Sequence, residues 1–152
     1  MKRLILSALL IPLAAGRPGL NQADPISSVS TYDPISTNLV EVRSGIWPMT
    51  LERTIDRPDT TYSLQFRDQQ VINGVVLDTL PFPNLQQLKY FGRALSALKT
   101  GNNGDIAKFK EYSVKRADKK GEGTWYLLRY QWGLTDFQQP EADIMIKTIR
   151  SL

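Results

Sequence analysis

Four carboxylates, Asp68, Asp78, Asp105 and Asp136, stand at the ends of predicted strands or in loops, where paired acids could carry out glycoside hydrolysis. In that chemistry one group donates a proton while the other acts as base or nucleophile. Their spacing pairs none of them, and Asp is a common turn residue for backbone reasons alone. The rest of the inventory narrows the chemistry further. The chain has no histidine and no cysteine. That removes the commonest general base and metal ligand, together with thiolate nucleophiles, disulfides and zinc-thiolate sites. Any catalysis would have to run on Asp, Glu, Lys, Tyr, Ser or Thr. Gly101-Asn102-Asn103-Gly104 has the look of a phosphate loop, but no Lys-Ser/Thr follows it and no strand leads into it. It reads as a connection. No catalytic set, metal site or cofactor motif is expected.

Residues suited to binding are easier to find. Tyr126, Tyr130 and Trp132 share one face of a predicted strand with Arg129 on the opposite face, a set that could form a floor for sugars, bases or cations. An aromatic row of period two is also what the inner face of a packed strand looks like. The basic stretch Lys108, Lys110, Lys115, Arg116, Lys119 and Lys120 could follow a phosphate backbone or an anionic envelope surface. Glu111, Asp118 and Glu122 interleave with it, as in an ordinary solvated hairpin. Net charge does not favour nucleic acid. The 19 basic and 15 acidic residues give +4, and two of the positive charges are Lys2 and Arg3 at the extreme N-terminus.

The elements that must position these residues follow from periodicity. Val40 and Val42 alternate with Glu41 and Arg43, and Trp47, Met49, Leu51 and Ile55 line one face of a second strand. Tyr62, Leu64 and Phe66 alternate with polar neighbours in a third. Asn73-Gly74, set between Gln70-Val71-Ile72 and Val75-Val76-Leu77, predicts a tight type I′ hairpin. Asn84 is placed to cap a helix in which Leu85, Leu88, Phe91, Leu95 and Leu98 recur at spacings of three and four, with Gly101 just beyond its end. A strand over 106–116 turns at Lys119-Lys120-Gly121-Glu122-Gly123 and pairs with 124–132. Pro140 suits the first turn of a closing helix that turns Ala142, Met145, Ile146 and Ile149 inward. The expected class is α+β: a mostly antiparallel sheet of five or six strands, one main covering helix at about 85–99 and a C-terminal helix at about 140–151.

Three regions are expected along the chain. Residues 1–16, MKRLILSALLIPLAAG, place two cations before an apolar run that ends in small residues, the grammar of a cleaved secretory signal peptide. The run is interrupted by Pro12 and is shorter than the roughly 20 residues that cross a bilayer as a helix. Residues 17–38 repeat Asp-Pro-Ile-Ser at Asp24 and Asp33 and read as an extended polar linker or arm. Residues 39–152 form the α+β domain.

The composition and patterns point to an exported, periplasmic or extracellular, binding or accessory protein without catalytic activity, for a small ligand or a protein partner. Two other readings stay open. In one, the chain is a structural subunit of a capsid or filament that self-assembles and retains its apolar N-terminus. In the other, it is a carboxylate-based hydrolase.

Overall fold

The computed structural model describes residues 33–131 and 133–152. The apolar leader, the first Asp-Pro-Ile-Ser copy and Trp132 lie outside the described residues.

The described chain is α+β and consists of two successive runs of four antiparallel strands, each followed by a helix. The first run is β1 (Ile35–Ser44), β2 (Trp47–Asp56), β3 (Asp59–Arg67) and β4 (Leu77–Phe82), followed by α1 (Leu85–Lys99). The second is β5 (Ile106–Lys108), β6 (Tyr112–Lys119), β7 (Gly123–Tyr130) and β8 (Gly133–Gln138), followed by α2 (Gln139–Arg150). Each run forms its own sheet with strands in chain order. The single sheet of five or six strands expected from periodicity is therefore two sheets of four. β1 begins at Ile35, inside the stretch expected as a linker, and pairs Ile35 with Ile55 and Ser36 with Thr54.

Two local differences add strands, and a third changes the register of one pair. The expected strand over 106–116 is a hairpin in which Ile106 pairs with Lys115 and Lys108 with Ser113. β8 was not expected at all, because its inward positions are Gly133, Thr135 and Phe137, of which only Phe137 is a large hydrophobe. The two-residue Asn73-Gly74 hairpin is not formed. β3 and β4 pair Arg67 with Leu77, and Asp68 N–H donates to the Val76 carbonyl at 2.9 Å, leaving 69–75 as a broad loop.

The first helix forms as its sequence predicts. Asn84 is extended and its side chain accepts the Gln87 N–H at 3.0 Å, satisfying one of the amides that a helix start leaves unpaired. Leu88, Phe91, Leu95 and Leu98 are buried. α2 buries Ala142, Met145, Ile146 and Ile149, so it is a second covering element and not an accessory to α1. Both helices and the inner faces of both sheets meet in one apolar core, from Val42, Met49 and Leu51 through Leu64 and Phe66 to Val114, Leu128 and Phe137. The helices run antiparallel: Gly92 faces Ile149, and Lys99 reaches Asp143. No helix among the described residues is long and apolar enough to cross a membrane.

Candidate functional site

Alternation divides the second sheet into an inner and an outer face, and this division decides which predicted binding residues can meet a ligand. Tyr126 and Tyr130 point inward. Tyr126 is wholly buried and stacks on Phe137 at 5.6 Å, while Tyr130 is 7% exposed. Burial pushes both phenols above the ordinary tyrosine value. The Tyr130 hydroxyl accepts from Gln131 Nε2 at 2.7 Å, whereas the Tyr126 hydroxyl has no hydrogen-bond partner among the described residues. These two rings contribute to the core.

Arg129 points the other way and is exposed. It lies opposite Ser113 of β6 and Leu134 of β8, while Lys115 of β6 and Asp136 of β8 flank Leu127 one register position away. Arg129 lines two adjoining depressions. One, of about 250 Å³, is formed by Ile106, Ser113, Lys115, Leu127, Arg129 and Leu134. The other, of about 280 Å³, adds Lys108, Phe109, Lys110, Glu111, Tyr112 and Gln131. Phe109 stacks on Tyr112 at 4.2 Å along this rim. Arg129 makes no ion pair among the described residues. The result is a shallow surface on which Ile106, Leu127 and Leu134 lie beside the Arg129 guanidinium, with Lys108, Lys110, Lys115 and the Glu111 carboxylate around it, a net positive mix suited to an anionic head carried on an apolar body.

The basic stretch is not one surface. Lys115 faces outward, but its neighbour Arg116 turns inward, and its Nη1 donates to the Leu98 and Lys99 carbonyls at 3.0 and 2.7 Å. Arg116 thus closes the C-terminal end of α1, where carbonyls lack intrahelical partners. Its Nε pairs with Asp118 at 3.0 Å. Lys119 lies 3.9 Å over the Trp125 ring and pairs loosely with Glu122, and Lys120 is exposed at the hairpin tip.

Three of the four singled-out carboxylates converge on β8, a grouping that sequence reading missed because β8 itself was unrecognised. Asp68 Oδ1 accepts from Gln70 N and Leu134 N at 2.9 and 3.1 Å, and the Asp78 carboxylate packs directly over Gly133. Asp136 Oδ1 accepts from Gln69 Nε2 at 2.9 Å. The same Gln69 nitrogen donates to Ser44 Oγ, which shares a 3.1 Å hydrogen bond with buried Thr135. Asp105 stands apart and accepts from Asn102 N at 2.6 Å. Among the described residues, no group of three or more acidic side chains is gathered closely enough to hold a metal ion.

No protein-family model matches this chain, and no curated protein or solved structure matches it either.

Proposed function

We propose that this protein is an exported binding protein without catalytic activity, and that it holds a small anion with an apolar body on the outer face of the second sheet. One observation carries this reading: Arg129 stands exposed between two adjoining depressions and has Leu127, Leu134 and Ile106 around it with Lys115 alongside. A carboxylate or sulfate head would accept from the guanidinium in a paired geometry, and the apolar body would cover the leucines. The carboxylates near β8 are in structural use, which favours a binding role over hydrolysis: Asp68 and Asp136 take bonds that tie the β3–β4 loop to β8, and Asp78 accepts the Thr79 N–H and packs against Gly133. Export rests on the cation-then-apolar pattern of residues 1–16.

The test is a titration of the protein with octanoate, followed by amide chemical shifts. Shifts should concentrate at Ser113, Lys115, Leu127, Arg129 and Leu134, and Arg129→Ala should remove them. Shifts scattered over the molecule, or unchanged in Arg129→Ala, would sink the proposal.

A further inference from the structure

A second surface, on the helices and away from the sheet face, has a different character. The groove between α1 and α2 consists of two adjoining stretches of about 330 and 560 Å³ that share Ser96 and Arg150. Its floor is Gly92, Ile146 and Ile149, and its rim carries Lys89, Arg93, Lys99, Lys147 and Arg150. Against these five cations the groove offers one carboxylate, Asp143, already paired with Lys99 at 2.7 Å. Arg150 Nη2 donates to Ser96 Oγ at 3.1 Å, which holds that guanidinium over the groove. Lys89 and Lys147 make no ion pair among the described residues, and Arg93 lies only over Tyr90 of its own helix, at 5.5 Å.

We propose that this groove docks an acidic, leucine-bearing segment of a partner protein. Charge complementarity sets the sign of the partner: four of the five rim cations have no ion-pair partner among the described residues, so the groove attracts an anionic segment and repels a cationic one. Its extent sets the shape. Lys89 to Lys99 spans about 15 Å along the helix, so the charges form a strip and not a point at which a single phosphate could be gathered. An extended segment of four or five residues covers that length at roughly 3.3 Å per residue. Ile146 and Ile149 are buried beneath the groove, so apolar side chains of the segment would lie against the alkyl stems of the rim lysines and arginines, and no aromatic ring lines the groove for bases to stack on.

The test uses the full chain and a fluorescein-labelled (Glu-Glu-Leu)3 peptide, followed by anisotropy at low and at physiological salt. Binding should weaken with salt, and the Arg93→Glu/Lys147→Glu variant should lose roughly tenfold or more in affinity. Arg129→Glu, on the sheet face, should bind the peptide as the parent does. That separates this proposal from the sheet-face reading, which it does not require. Circular dichroism should show both variants folded. No binding at low salt, equal loss in Arg129→Glu, or tighter binding to single-stranded DNA or to phosphatidylglycerol vesicles than to the peptide would each overturn it.

Discussion

Arg116 and Asp118 are two positions apart on β6, and together they show how one residue type can look like a surface charge in sequence and act as a fastener in the fold. The Arg116 guanidinium holds the last carbonyls of α1, and Asp118 Oδ1 accepts from Arg116 Nε and from Thr124 Oγ1, at 3.0 and 2.8 Å. The hydrogen bonds from Arg116 and then Thr124 hold the Asp118 carboxyl below the ordinary carboxylate range. A group whose pKa is depressed in the folded state contributes stability that is fully present above its unfolded pKa, about 4, and that fades as pH falls through the folded value. Asp118→Asn should therefore melt lower than the parent at neutral pH, and the gap should close below about pH 4. Thermal melts from about pH 7 to about pH 2 check this, and a gap that stays constant across the range would contradict it. Gly101 carries a similar lesson. It follows the α1 cap as expected, but its φ is not left-handed; a Cβ there would meet Asp105 Oδ2 at 2.6 Å, so a neighbouring carboxylate and not helix termination demands the glycine.

Single helices were legible because their signals are local, whereas strand partnerships were not, because register is decided by burial. Asn73-Gly74 is a strong turn pair, yet a two-residue hairpin there would set Leu64 opposite Pro83 and Arg67 opposite Leu80. The observed register sets Leu64 opposite Leu80 and Tyr62 opposite Phe82, all four buried, and sends Pro81 outward on an edge strand where its missing N–H costs no ladder bond. Core burial outweighs turn chemistry, and the loop is left displaying Ile72 at 91% exposure. Tyr126 and Tyr130 of the aromatic row lie on the strand expected for them, but which face is covered depends on α2 and β8, and β8 has almost no apolar period of its own. Helix packing supplies the prediction at this scale. A Cβ at Gly92 would lie 2.9 Å from Ile149 Cγ2, and Ile149 is itself buried at the antiparallel crossing. Alanine normally favours a helix interior over glycine by about 1 kcal/mol. Here overpacking, typically about 1–3 kcal/mol, opposes that gain, so Gly92→Ala should be net destabilising in urea denaturation. A variant more stable than the parent would show that the helices can separate at no cost.

The two four-strand-plus-helix halves could in principle be separate folding units, and the junction argues that they are not. The β3–β4 loop reaches across to the second sheet: Gln69 N donates to the Leu134 carbonyl at 2.7 Å, Asp68 takes the Leu134 N–H, and the Gln69 side chain joins Ser44 of β1 to Asp136 of β8. Ser44 and Thr135 are the buried polar residues of the core, and each satisfies the other, so a hydrogen bond made inside the core itself ties β1 of the first sheet to β8 of the second. α2 packs on β1 as well as on β7 and β8, and α1 packs on strands of both sheets, so neither sheet has a helix to itself. A domain built this way should unfold in one transition. Trp47 reports on the first sheet and Trp125 on the second, and variants keeping only one of these tryptophans, with Phe at the other positions, isolate the two reports. Their urea midpoints should coincide with each other and with the loss of far-ultraviolet ellipticity. Two separated midpoints would mean that one half persists without the other, and the junction around Gln69 would then be a docking contact between two modules instead of part of a common core.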